Sequence, residues 1–334
     1  MKYNSIFFRF KLLLHKSIRS LSNIINMKHT ILGAGSPIGN ALAYELLKAY
    51  KDVRLVSRSK YRIPGTEIFK ADLTSYEETL ESVNNSDIVY LCVGLQYDSK
   101  VWADLWPKIM KNTIDACKEV NAKLIYFDNT YMYGKVAGIM TETTPYNPCS
   151  NKGEVRTKTV MMLESEISKK NLNAIIARSA DLYGPYATKS NVPIILAIEK
   201  LMSGKRAEWL IDANKLHSFT YSVDSAKGMI LLSNSEECYN QTWHLPTSYP
   251  IEGDTFIHTI ANNLGIPPDY SVINKWILRT AGWFQKAMAE TYEMLYQYEF
   301  NYYFDSSKFN TYFNYTPKSY YDGIHDTIEF MRTN

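Results

Sequence analysis

Gly33, Gly35 and Gly39 stand between a short apolar run, Thr30-Ile31-Leu32, and a segment whose apolar residues recur at helical spacing. Glycines so placed suit the binding of linked phosphates. Gly33 and Gly35 permit a tight turn and a close approach of the backbone to a pyrophosphate. Gly39 lets the helix lie against the strand, and the helix N-terminus offers N–H groups and a partial positive charge. Ser36, Pro37 and Ile38 complete the loop. An ordinary strand-to-helix turn is the alternative. The glycine spacing is not quite the standard one, but the position between strand and helix favours phosphate binding.

Four further segments belong to the same chemistry if each ends a strand of one sheet. Ser57-Arg58-Ser59, with Lys60 beyond, follows the second strand. An acidic residue there accepts hydrogen bonds from the ribose of NAD. A guanidinium instead binds a 2′-phosphate through two charge-assisted hydrogen bonds. Arg58 therefore selects NADP(H), with NAD(H) as the second choice; a solvated loop charge is the plain alternative. Asp72, followed by Leu73, is placed to reach an adenine edge or to cap a helix. Val93-Gly94 follows the fourth strand. Asp128 to Tyr133 follows the fifth, and there Tyr131 has a phenol able to donate a proton.

The elements that must hold these residues alternate along the chain. Apolar runs at Val53–Val56, Glu67–Ala71, Asp87–Cys92, Lys123–Phe127 and Ala174–Arg178 read as strands. Helical patterns cover Tyr76–Val83, Trp106–Val120 and 154–170. Repeated β-α units of this length predict a doubly wound parallel sheet with right-handed crossovers, so ligands gather at the carboxyl ends of its strands. Past Tyr186 the pattern loosens into a helix-rich, aromatic section at 254–300, expected to form a smaller substrate lobe.

Composition narrows the field. The 334 residues are 46% hydrophobic, enough for a full core, and the net charge is only +3. No Lys/Arg run argues for nucleic acid. The four cysteines form no metal spacing, and the six histidines no HExxH pair, so no metal is expected and a reducing, cytoplasmic setting is. Residues 1–26 carry five basic residues and no acid, with no stretch long enough to span a membrane. They read as an extension outside the fold, with Met27 as its first residue, or as a basic amphipathic or targeting helix.

Several motifs together resemble the extended and atypical short-chain dehydrogenase/reductases, the superfamily of nucleotide-sugar epimerases and dehydratases. Gly33-Ala-Gly-Ser-Pro-Ile-Gly39 is similar to its GxxGxxG, with Ser36 for the middle glycine. Tyr133-Gly134, Thr141-Glu142 with Pro145 and Pro148, and Arg178 followed by Leu182-Tyr183-Gly184-Pro185 match in order. So do Phe219 to Asp224 and Gly323-Ile324. The resemblance implies a Rossmann α/β fold with a smaller C-terminal substrate lobe. The dinucleotide domain would span 27–185, with 217–247 returning to it, and the lobe 186–216 and 248–334.

The same resemblance implies a Tyr-x-x-x-Lys on a helix and a Ser or Thr after the fifth strand. This chain departs from both. Lys152 falls at the tyrosine position, Arg156 at the lysine position and Asn129 at the Ser/Thr position. Tyr131, Asn129 and Lys152 are the substitute catalytic candidates, Arg156 a clamp for ribose or substrate, and Asn129 also a cofactor contact. Tyr131 and Lys135 share the Tyr-x-x-x-Lys spacing, but after a strand this does not put them on one face. Lys152 and Arg156 could equally lie in a solvated first turn of their helix, and Tyr131 and Tyr133 in aromatic packing over the sheet end.

On the substrate side stand Tyr133, Arg178, Tyr183 and His217. Arg178 is suited to an anion or to a nearby carboxylate, and a lone histidine such as His217 is more often structural. The implied activity is NAD(P)-dependent oxidation, reduction or epimerisation at a hydroxyl or carbonyl carbon of a small molecule such as a sugar or sugar nucleotide. A non-catalytic NADP(H) sensor is the alternative, and a scaffold that keeps only the fold is a third. A homodimer through helices 105–120 and 153–170 is the expected assembly.

Overall fold

The computed structural model describes residues 27–334 other than 50, 60, 188–190 and 283–284. The basic N-terminal segment and Lys60 therefore lie outside the described residues. Seven strands form one parallel sheet: β1 Lys28–Leu32, β2 Asp52–Ser57, β3 Glu67–Lys70, β4 Ile88–Leu91, β5 Lys123–Asp128, β6 Ala174–Arg178 and β7 Gln241–His244. Their order is β7-β6-β5-β4-β1-β2-β3. The chain reverses direction across the sheet beside β1, so the crevice at the carboxyl end of β1 and β4 is the natural ligand site.

Alternation along the strands builds two cores. Ile31, Leu55, Tyr90, Ile125 and Ile175 face one side, against Leu42 and Leu46 of helix α1 (Pro37–Lys48). Leu32, Val56, Val89, Leu91, Leu124 and Ile176 face the other. There they meet α2 (Tyr76–Val83), α3 (Ser99–Glu119) and α4 (Asn151–Ser168) through Val83, Trp106, Met110 and Leu163. A strand apolar on both faces is what a parallel sheet covered by two helical layers demands. Helix α5 (Ser222–Ser233) packs Ala226, Met229 and Leu232 into the first core, and β7 extends the sheet beside β6.

The strands follow the sequence pattern to within a residue or so. Helix α3 differs, starting at Ser99 rather than Trp106. Asp98 caps it, accepting from the Lys100 N–H at 2.9 Å. Pro107 inside the helix removes one donor and masks the start of the periodicity.

The aromatic lobe has its own core of Tyr183, Trp209, Phe219, Phe256 and Tyr320, with α6 (Gly253–Leu264) and α8 (Tyr320–Thr333). Two of the matched motifs serve this join. A Cβ at Gly323 would stand 2.4 Å from the Tyr183 hydroxyl, so only glycine lets α8 close over that ring. Asp224 accepts from the Tyr315 hydroxyl and the Lys318 N–H, each at 2.7 Å, which ties the C-terminal segment to α5.

His29 on β1 is fully buried, with Nδ1 3.1 Å from the Tyr90 hydroxyl. Burial first, and then the charge of Lys51, push its pKa from 6.5 down to about 4. The folded state thus holds a neutral imidazole that the unfolded chain protonates below 6.5. Stability is complete above that pH. It is expected to fall by about 1.4 kcal/mol per pH unit as the pH drops towards 4. Urea unfolding of the wild type and of His29→Leu across this range checks it: the substitution should remove that part of the slope.

Candidate functional site

A cleft of about 700 Å³ opens at the carboxyl ends of β1, β2 and β4. Its floor is Gly33 to Pro37. Its walls are Ser57, Arg58, Ser59 and Tyr61 on one side, Asp72, Leu73 and Thr74 on the second, and Val93, Gly94 and Leu95 on the third. Leu105 and Ile109 of α3 close the back. The predicted phosphate loop, Arg58, Asp72-Leu73 and Val93-Gly94 are thus brought together.

The loop geometry follows from its glycines. Gly33 has φ +100° and Gly35 has φ +91°. A Cβ on Gly33 would stand 2.6 Å from the backbone of Val93, and one on Gly39 would stand 2.8 Å from the Gly33 carbonyl oxygen. A cradle that only glycine fits, in the crevice of a parallel sheet, suits a dinucleotide pyrophosphate. Ser36 replaces a glycine at the cost of nothing here. Its hydroxyl donates to the Cys92 carbonyl at 2.7 Å and accepts from the Gly39 N–H at 3.1 Å, capping α1 and pinning the loop to β4.

The donor set is thinner than the glycines alone predict. Gly33 and Ala34 donate to the Val56 carbonyl, each at 3.0 Å, and Gly35 donates to the Asn40 side chain at 3.1 Å. Pro37 has no N–H at all. Giving position 37 a donor is expected to tighten dinucleotide binding about 10–100-fold, the range of one hydrogen bond to a charged group. Calorimetric titration of Pro37→Ala with NADPH checks this.

Arg58 is exposed at the rim of the cleft. Asp72 lines it too, but its carboxylate also turns the chain into α2. Oδ1 accepts from the Thr74 N–H at 2.9 Å and the Thr74 hydroxyl at 2.8 Å, and these bonds hold its pKa below the usual carboxylate value.

The other end of the crevice is built differently. Lys152 and Arg156 lie in the first turns of α4 and are buried, not solvated. Lys152 Nζ pairs with Glu290 and with Glu293 Oε1 at 2.7 Å, and sits 4.3 Å from the Tyr97 ring centroid. Both glutamates come from the lobe, at and just after helix α7 (Lys286–Tyr292), which also joins Lys286 to Asp98. Arg156 donates through Nε to Asp128 Oδ1 at 2.9 Å and lies over the Trp106 ring at 4.4 Å. Its contacts are therefore with β5 and α3, in place of the open clamp its helix position implied.

Arg178 is fully buried beneath the site. It pairs with Asp128 Oδ2 at 3.3 Å and donates to the Tyr133 hydroxyl at 2.7 Å and to Tyr146. Of its two readings, the carboxylate partner is the one observed. Tyr133 is held between Arg178 and His244 Nε2, the latter at 2.8 Å, and Tyr183 lies in the lobe core. Asp128, the hub of both arginines, reads in the sequence only as the start of the Asp128 to Tyr133 segment at the end of the fifth strand, and nothing local marks it as their partner.

Tyr131 opens a short 3₁₀ turn after β5, and its ring stacks on Trp102 with 6.2 Å between centroids. Asn129 Oδ1 accepts from the Tyr131 N–H at 3.1 Å and so shapes the turn. Lys135 is exposed and lies over the Phe300 ring, 5.8 Å from its centroid. His217 is buried, with Nε2 3.2 Å from Asp181 Oδ2, and stacks on Phe219, Tyr298 and Tyr302. Cys92, Cys117 and Cys238 are buried free thiols, while Cys149 is exposed. Among the described residues no group of side chains could hold a metal, and no helix is long and apolar enough to cross a membrane.

Residues 29–241 match the NAD dependent epimerase/dehydratase family. The chain belongs to that family. No curated protein matches it. Its fold is shared with DesIV, a dTDP-glucose 4,6-dehydratase from Streptomyces venezuelae solved with NAD and TYD bound, at 15% identity and a TM-score of 0.76, covering 92% of this chain and 98% of that one. It is also shared with UDP-N-acetylglucosamine 4-epimerase from Bacillus cereus (17% identity, TM-score 0.74, 92% and 98% covered). UDP-glucuronic acid 4-epimerase from Bacillus cereus, solved with NAD, is similar at 17% identity and a TM-score of 0.73 (92% and 99% covered). As a member of the epimerase/dehydratase family the chain has the expected Rossmann-like sheet. Lys152 and Arg156 set it apart at the motif expected on α4.

Proposed function

We propose that this epimerase/dehydratase family member binds NADP(H) in the glycine-floored cleft and reduces a carbonyl carbon of a small sugar-like substrate. The observation that carries the reading is the cleft itself, where the Gly33/Gly39 cradle and the Arg58 guanidinium line one cavity. DesIV and the UDP-glucuronic acid 4-epimerase were solved with NAD, and all three structural relatives are named for sugar nucleotides, which supports the substrate class. Gly33 to Ile38 would hold the pyrophosphate, Arg58 with Ser57 the 2′-phosphate, and Asp72, Leu73, Val93 and Gly94 the adenosine. When bound, the dinucleotide supplies a hydride at its nicotinamide end.

The protein's share of the chemistry is the proton. Burial, and after it the nearby Tyr97 and Asp181 groups, raise the Tyr131 pKa well above 10. Its phenol therefore carries its proton at neutral pH and enters the reaction as the donor to a carbonyl oxygen, not as a base, while burial also makes it a weaker acid. Arg156 is near enough to Tyr131 to interact electrostatically and would stabilise the phenolate left behind. Lys152, shared between two glutamates, orders α7 over this end and would reach substrate only if that contact opens. A homodimer through α3 and α4 and a cytoplasmic setting complete the reading.

Titration with NADPH and NADH tests it. Arg58→Ala is expected to weaken NADPH binding about 10–100-fold, the range of a charge-assisted pair, and to leave NADH unchanged. Equal affinity of the wild type for both dinucleotides would refute the NADP(H) preference. The ion-paired state of Lys152 and Arg156 favours a second reading, a dinucleotide sensor without turnover. NADPH binding with no activity on a carbonyl panel, unaltered by Tyr131→Phe, would select it.

A further inference from the structure

Asp181 opens a short strand, Asp181–Tyr183, just beyond the end of β6 and paired in parallel with Phe219–Tyr221. Among the described residues only Oδ2 of its carboxylate has a hydrogen-bond partner, His217 Nε2 at 3.2 Å. Its charge acts on the phenols of Tyr131, Tyr296, Tyr298 and Tyr302, each of which is raised by burial first. The hydroxyls of Tyr296 and Tyr298 are buried with no hydrogen-bond partner in the protein, on residues only 6% and 5% exposed. Tyr302, by contrast, is engaged by Thr130 and by Gln297. Two orphaned hydroxyls beside one carboxylate, next to the proton donor of the proposed reaction, mark a polar ligand subsite. Buried donors of this kind otherwise find partners.

The charges around this subsite decide what it takes. Lys152 is outweighed by Glu290 and Glu293. Arg156 and Arg178 are both turned to Asp128. Among the described residues Asp181 is paired with His217 alone, so it faces the subsite with no lysine or arginine committed to it, lined by phenols that donate to or accept from hydroxyl and amino groups. A second carboxylate placed there would meet a like charge in a poorly solvated setting.

We propose that Asp181 is the specificity-determining residue of the substrate subsite, selecting an amino-substituted or neutral sugar ring and rejecting a carboxylate-bearing one. This rests on the NADP(H)-dependent reading of the cleft. The test loads the full-length protein with NADPH and measures binding of three probes that differ in one substituent: UDP-glucosamine, UDP-glucose and UDP-glucuronate. The wild type is expected to hold the amine at least about tenfold tighter than the carboxylate. Asp181→Asn keeps the acceptor for His217 and removes the charge, and should bring the ratio within about threefold. Asp181→Glu keeps the charge and the order of the probes, and serves if the Asn variant melts early.

An unchanged ratio in Asp181→Asn, a wild type that prefers the carboxylate, or no binding of any probe beside normal NADPH binding would each overturn the assignment of Asp181 and leave the cofactor reading intact. Failure to bind NADPH or NADH would overturn the cofactor reading itself.

Discussion

Asp128→Asn is expected to destabilise the protein by about 3–5 kcal/mol, the range seen when one partner of a buried ion pair is removed. Asp128 is wholly inaccessible, and so is Arg178; Arg156 is 3% exposed. One carboxylate thus compensates two guanidinium groups, with Oδ1 serving Arg156 and Oδ2 serving Arg178. The aromatic rings around them help but do not neutralise: Arg156 lies over Trp106, and Arg178 lies 5.0 Å from the Tyr133 centroid and 4.9 Å from that of Tyr146. Removing the charge at position 128 leaves both cations unpaired at the end of β5, beneath the site. Urea unfolding measures the loss. Arg156→Met in the Asp128→Asn background should recover part of it, because the second substitution removes one stranded charge. A cost below about 1 kcal/mol for Asp128→Asn would mean that water or rearrangement compensates the arginines, and that the hub does not organise the site.

This hub also explains where the sequence was readable and where it was not. The cleft half that would hold the adenosine and phosphates is made of residues that each end a strand, so the period-two pattern of β1 to β4 locates them and the three glycines name their task. Arg58 and Asp72 were found the same way. The other half is assembled by contacts that no local pattern encodes. Lys152 finds Glu290 across more than a hundred residues, and Glu290 belongs to a helix whose own composition gives no hint of a partner on α4. Arg156 and Arg178 share an acid that reads, in sequence, as the polar last residue of a strand. Their helix and strand positions were legible; their ion pairing was not, because it depends on which long side chains meet once the lobe folds over the sheet. Pro37 is a third kind of case. Its lost N–H is visible in the sequence, yet its weight emerges only when Gly33, Ala34 and Gly35 are seen to spend their own donors within the protein.

Tyr131→Phe is expected to lower turnover about 100-fold or more on any carbonyl that the wild type reduces, the usual contribution of a positioned general acid. The ring stays on Trp102 and the Asn129 bond to the backbone is untouched, so folding and NADPH binding should persist. The pH profile separates this from a packing effect. A Tyr131 pKa raised well above 10 keeps the donor protonated across the neutral and mildly alkaline range, so reduction should not decline as pH rises from about 7 to 9. Were the proton supplied instead by Lys152, its release from Glu290 and Glu293 would be required first, and Lys152→Met would abolish turnover while Tyr131→Phe left it standing. The pair of substitutions therefore assigns the donor. Loss in Tyr131→Phe with a flat profile places the acid at the end of β5. The opposite pattern returns it to the α4 position where the wider superfamily carries its tyrosine, and makes opening of α7 a step in the reaction.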